Sequence, residues 1–127
     1  MCGAFQYSEL FAVSEKTHGL ANVVVSVQGL KGDVQAAGSA LTMAQNKRRY
    51  VPHVQAVPIG SKLHILNSDG ILQNVHAYFD GGVQKKTVFN KAQPRFLKKI
   101  SQTLDKAGTY YYRCDVQVVS LGHYRCA

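Results

Sequence analysis

What most constrains this chain is its rhythm: short runs of β-branched and aromatic residues, each stopped by a glycine, proline, asparagine or aspartate. Lys62-Leu63-His64-Ile65-Leu66-Asn67 alternates apolar and polar and ends at Ser68-Asp69-Gly70. Val75, Ala77 and Phe79 alternate up to Asp80-Gly81-Gly82, and Asp105-Lys106-Ala107-Gly108 leads into Thr109-Tyr110-Tyr111-Tyr112-Arg113-Cys114. A period of two sends alternate side chains to opposite faces of a strand, and turn signals at this spacing imply a β-sandwich or barrel. The fold class expected is all-β.

Other segments are read in the same way. Asn22-Val23-Val24-Val25-Ser26-Val27, uncharged and β-branched before Gly29, is expected to be a buried strand. Ala40 to Asn46 fits a short helix or a strand. Tyr50 to Val57 reads as a strand interrupted at Pro52, which has no amide donor and belongs at an edge or bulge. From Lys85 to Leu104, Pro94 rules out one continuous helix, so a loop, a strand and then a strand over Ile100–Leu104 are expected. With 127 residues, 46% of them hydrophobic, and with no repeat or low-complexity linker, residues 1–127 are expected to form a single domain.

Charge and composition remove several function classes. No apolar run approaches the roughly 20 residues of a transmembrane helix. Met1-Cys2-Gly3-Ala4-Phe5 lacks the basic-then-apolar order of a signal peptide. Fifteen basic against seven acidic residues give a net charge of +8, concentrated at Lys47-Arg48-Arg49, Lys85-Lys86 and along Lys91, Arg95, Lys98 and Lys99. Such an excess steers acidic partners. Nucleic acid is disfavoured, because in a Tyr110-Tyr111-Tyr112 strand alternate rings point inward and cannot stack on bases. Paired carboxylates, a phosphate loop and triad spacing are all missing from the sequence, so an enzyme is not expected.

One set of ordered landmarks is more specific. Val51-Pro52-His53-Val54, Pro58-Ile59-Gly60, Leu66-Asn67-Ser68-Asp69, Asn74-Val75-His76-Ala77-Tyr78, Val88-Phe89-Asn90, Ala92-Gln93-Pro94 and Gly108-Thr109-Tyr110 before Cys114-Asp115-Val116 follow one another from about Leu20 to Val116. In this order they resemble the bacterial cupredoxin-like proteins labelled plastocyanin-like or methylamine-utilisation-like. The resemblance implies a Greek-key β-sandwich exported to the periplasm or secreted, and in copper-binding members a type 1 site. Its ligands would be a histidine before the Asn-Val pair, the cysteine and histidine of Cys-Asp-Val-His, and a methionine three residues later.

Carried over residue by residue, those ligand positions are Gln73, Cys114, Gln117 and Ser120, so only the cysteine remains. The family's Pro-Trp pair in this loop is Val118-Val119 here. Type 1 copper requires two imidazoles and a thiolate, and glutamine replaces imidazole poorly. The expected cofactor is therefore none, with copper as the alternative. A replacement set of Cys114, His76 and His123 is the remaining metal candidate, although His76, three residues past Gln73, should face the other side of a strand. His53 and His64 read as ordinary strand residues.

Three cysteines, Cys2, Cys114 and Cys126, allow three single disulfides, each leaving one thiol over. Cys2 with Cys126 would tie the termini, and Cys114 with Cys126 would close a C-terminal hairpin. A buried free Cys114 is equally compatible. In the family a cysteine-glycine near Cys2 accompanies a second cysteine where this chain has Arg48.

These readings lead to a non-catalytic, cupredoxin-like binding or assembly module outside the cytosol. Family members carry more sequence before the Cys2 region and a longer last strand, so open sheet edges, and with them a protein partner or self-association, are expected here. The alternatives are a copper electron-transfer protein with an atypical ligand set, docking on an acidic redox partner, and a basic polyanion-binding module.

Overall fold

In the computed structural model, residues 12–27, 29, 32, 40–82 and 85–116 are described, together with the backbone of 121–126. They contain nine strands and no helix: β1 (Leu41–Asn46), β2 (Arg49–Val51), β3 (Val54–Val57), β4 (Ser61–Asn67), β5 (Gln73–Asp80), β6 (Lys85–Gln93), β7 (Lys99–Leu104), β8 (Gly108–Arg113) and β9 (Leu121–Cys126). Two sheets form, ordered β2-β1-β4-β7 and β3-β9-β8-β5-β6. β1 runs parallel to β4 and β3 parallel to β9, while the remaining pairs are antiparallel.

Alternation in the sequence becomes the two faces of each sheet. Along β4, Ser61, Leu63, Ile65 and Asn67 are buried, while Lys62 is exposed and His64 and Leu66 are half-buried. Along β8, Tyr110 and Tyr112 point into the core and Tyr111 lies on the outer face. Met43, Tyr50, Leu63, Ile65, Val75, Ala77, Ile100 and Leu104 complete most of the apolar layer between the sheets. Each large side chain fully buried there contributes about 1.5–3 kcal/mol of transfer free energy.

Pro52 does more than mark an edge. The chain leaves the first sheet at Val51 and enters the second at Val54, so a stretch read as one interrupted strand is two strands in different sheets. Ala40–Asn46 resolves as strand β1, which is held between β2 and β4. Lys85 begins a strand rather than a loop. β6 keeps its charged side chains in solvent because it lies at the sheet edge, where most of its residues remain exposed.

The expectation for Asn22–Val27 is overturned. This stretch belongs to no strand, and Val23, Val25 and Val27 are 53%, 87% and 73% exposed. Strand propensity reflects how well a side chain fits a half-buried pleated surface, and here no neighbouring strand among the described residues supplies one. Before it, a small turn is closed by a bridge between Val13 and Leu20.

Candidate functional site at the Cys114 end

Four connections meet at one end of the sandwich: the β1–β2 turn at Lys47–Arg48, the β4–β5 turn, the β6–β7 loop and the chain leaving β8 at Cys114. Backbone and side-chain bonds bind them together. Asn67 donates its amide to the carbonyls of Ile71 (2.7 Å) and Gln93 (3.0 Å), and its backbone N–H to Lys98 (3.1 Å). Ser68 N–H reaches the Gln45 carbonyl at 2.9 Å.

Gln73 is the first residue of β5 and only 1% exposed. Its amide nitrogen donates to Asp69 Oδ2 at 2.8 Å, and its oxygen accepts the Cys114 thiol at 3.4 Å. Asp69 in turn accepts the backbone N–H groups of Lys47 and Arg48. Both of those residues have positive φ, 52° and 62°, a conformation costly for side-chain-bearing residues, and the carboxylate supports it by satisfying their N–H groups. The buried thiol is thus the inner end of a chain of hydrogen bonds that runs out to the β1–β2 turn.

The next residue of β5 fixes the other side of Cys114. Asn74 Oδ1 accepts the backbone N–H of Asp115 at 3.1 Å, and its Nδ2 donates to Asn90 Oδ1 at 2.6 Å. Tyr50 hydroxyl donates to the Asn74 carbonyl at 3.0 Å. Cys114 therefore sits between two neighbours, Gln73 and Asn74, that hold its side chain and the backbone of its successor.

His76 lies on the face away from Cys114. Gln73, Val75 and Ala77 point inward, while His76 pairs across the ladder with Arg113 and Asn90, one residue before Cys114 turns in. Its Nδ1 is 2.7 Å from Asp115 Oδ2, and because a carboxylate only accepts, Nδ1 carries the proton in this contact; Nε2 lies 3.0 Å from the Thr87 hydroxyl. The ring stacks on Tyr78 at 4.0 Å. Asn90 Nδ2 and Arg113 Nε also reach the Asp115 carboxylate, at 3.1 and 3.0 Å. Burial pulls the Asp115 carboxyl upward. The His76 hydrogen bond and charge, the Asn90 hydrogen bond and the Arg113 charge outweigh that pull and hold it below the usual carboxylate range.

The remaining candidates fall elsewhere. Gln117 and Ser120 lie outside the described residues, as do the Val118-Val119 pair and Cys2. His123 is on β9 beside Tyr111, three residues along β8 from Cys114 and about 10 Å away along the strand. Cys114, His76 and His123 are therefore not brought together, and among the described residues no three His, Cys, Asp or Glu side chains gather as a metal site. Cys114 is a free thiol. The register sets Cys126 opposite Gly108, six residues from Cys114 and about 20 Å along β8, well beyond the ~7 Å that a disulfide spans between Cα atoms, so the ladder does not build a Cys114–Cys126 hairpin bridge. His64 donates to or accepts from Ser101 on the outer face of the first sheet, as an ordinary strand residue does.

Sequence reasoning missed three residues of this site: Asp69, Asn74 and Asn90. The signal was present, since all three lie inside landmarks that also mark the turn and the two facing strands. The half-buried outer ring Tyr111 carries the Lys85 ammonium 4.1 Å from its centroid, with Tyr78 at 5.3 Å from the same ammonium.

No protein-family model matches the sequence, and no curated protein sequence matches it. Solved structures do match in shape. Amicyanin from Paracoccus versutus (Thiobacillus versutus) superposes with a TM-score of 0.59 at 20% identity, over 75% of this chain and 86% of amicyanin. A copper(I) amicyanin variant gives 0.56 at 21% identity, over 69% and 82%. A purple cupredoxin from Nitrosopumilus maritimus gives 0.54 at 16% identity, over 68% of this chain and 99% of its own. The chain has the cupredoxin fold.

Proposed function

We propose that this cupredoxin-fold domain is a non-catalytic binding module outside the cytosol, in which the type 1 copper position is closed by hydrogen bonds. The observation that carries this reading is the Gln73 amide, engaged at both ends, by Cys114 and by Asp69, at the position that the family resemblance assigns to the first imidazole. An amide oxygen 3.4 Å from sulfur satisfies a protonated thiol. A copper centre at Cys114 would need a thiolate with two imidazoles, and Gln73 and Gln117 supply neither. The donor set does not fit type 1 copper, and no electron-transfer step is derived through it.

The surface around this end supports a protein as the ligand. Ile71, Leu72, Phe96 and Val116 are exposed on the connections gathered there, and Phe96 is 83% exposed. Lys47, Arg48, Arg95 and Lys98 lie on the same connections. Exposed apolar groups rimmed by cations suit a partner with an apolar centre and an acidic border.

Titration with one equivalent of Cu(II) tests the reading. The expected result is no intense visible charge-transfer band and a Cys114 thiol that still reacts stoichiometrically after unfolding. An intense band that disappears in Cys114→Ala would overturn it in favour of a copper protein with an atypical ligand set.

A further inference from the structure

Among the described residues, two stretches have what a β-ladder needs and lack a strand beside them. One is Val23–Val27, five residues without charge, glycine or proline that follow the left-handed Asn22 (φ 62°) and whose Val23, Val25 and Val27 stand in solvent. The other is the outer edge of β7, which among the described residues pairs with β4 alone.

The four edge strands among the described residues differ in how well they are guarded. β2 has three residues and runs into Pro52, and β3 has four, too short to template a long ladder. β6 carries Lys85, Lys86 and Lys91, and its pairing with β5 is irregular between Ala77 and Tyr78. Lysines and bulges are the usual defences of an edge. β7 has none of these from Ile100 to Leu104: no charge, no proline, and an unbroken register with β4 from Ser61↔Leu104 to Leu66↔Lys99.

The two stretches also match in pattern. β7 turns Ile100 and Leu104 to the core and exposes Ser101 and Thr103. A strand laid along its free edge with Val23, Val25 and Val27 in the inward row would extend the apolar layer, and Val24 and Ser26 would fall beside Ser101 and Thr103. Within one molecule the two do not pair. Between molecules of net charge +8, repulsion disfavours most approaches, and this contact joins two surfaces that bring no charge to it.

We propose that Val23–Val27 of one molecule adds as a strand to the free edge of β7 in a second copy, reciprocally, giving a two-fold dimer. Reciprocal exchange closes the symmetry and covers both open edges at once.

Sedimentation velocity on the full chain, from micromolar to millimolar protein and at low and high salt, tests it. A dimer whose population rises with concentration and with salt is expected, because salt screens the repulsion between the cationic molecules. Val25→Asp and Thr103→Lys should each weaken it by about tenfold or more. Circular dichroism should stay unchanged, since both side chains are exposed. Oxidation of a mixture of the single variants Ser26→Cys and Thr103→Cys, whose side chains share the outer face in this pairing, followed by peptide mapping, should link the two introduced thiols across molecules. A monomer throughout, a dimer indifferent to Val25→Asp, or the absence of any link between the two introduced thiols in the mixture would overturn the proposal.

Discussion

Asn74 and Asp115 are joined side chain to backbone, Asn74 Oδ1 accepting the Asp115 N–H at 3.1 Å, so that β5 fixes the peptide immediately after the buried thiol. With Gln73 holding the thiol itself, two adjacent residues of one strand set both the side chain and the exit path of Cys114. A strand presents successive residues to opposite faces, which is how neighbours in sequence can grip the same residue from two sides.

Gln73→Ala removes the acceptor of the Cys114 thiol and the amide donor to Asp69 together. Buried groups left unpaired cost about 1–3 kcal/mol. Urea unfolding should show a loss of that order, with an unchanged m-value. A loss within error would mean that solvent replaces both bonds.

Supplying imidazoles at these positions should create a metal centre if the rest of the scaffold accommodates one. Gln73→His with Gln117→His and Ser120→Met supplies the ligand types that a type 1 site uses with Cys114. The triple variant is expected to develop an intense visible band with Cu(II) that the wild type lacks, and to lose it again on adding Cys114→Ala. A colourless triple variant would mean that positions 73, 117 and 120 do not bring these ligands together with Cys114.

Acid should weaken the His76–Asp115 side of the site. The folded-state carboxyl of Asp115 is held below its ordinary value. Its contribution is therefore present above the unfolded-state value, about 3.9, and is lost as pH falls through the lower folded value. Chemical unfolding across the acid range should show a stability decline in the wild type that is shallower in Asp115→Asn. Parallel declines would assign the acid sensitivity to other carboxylates.

Gly108 opens β8 with φ of 145°, and a Cβ added there would come within 2.7 Å of the Asp80 carbonyl oxygen and 2.8 Å of the Phe79 ring. Neither the backbone oxygen nor a ring packed 4.9 Å from Tyr110 can yield cheaply. Gly108→Ala should cost about 1–3 kcal/mol from overpacking, with backbone strain in addition, read as a lower melting temperature.

Much of this was legible in the residues. Leu63, Ile65, Tyr110 and Tyr112 face inward as their alternation indicates, and the ordered landmarks indicate the sandwich that the solved cupredoxins share. Asn22–Val27 misleads, because a β-branched run records suitability for a sheet and says nothing about whether a partner strand is adjacent. The β2–β3 crossover at Pro52 was half visible: proline marks a break in pairing, but a change of sheet is a tertiary event. Gln45 and Gln93 were not readable as interior residues at all. Their burial depends on a long-range exchange in which Gln45 Nε2 donates to Gln93 Oε1 at 2.8 Å and Gln93 Nε2 to the Ile65 carbonyl at 3.1 Å.

Those glutamines have a thermodynamic consequence for the whole domain. Gln45, Gln73 and Gln93 are each no more than 1% exposed, so amides lie between the sheets where hydrocarbon would otherwise pack. Exposing apolar surface raises the heat capacity of unfolding, and exposing polar surface lowers it. The increment should therefore be smaller than in a sandwich of equal length with an all-hydrocarbon interior. A smaller increment flattens the dependence of stability on temperature, so warming and cooling away from the optimum both weaken this protein gradually.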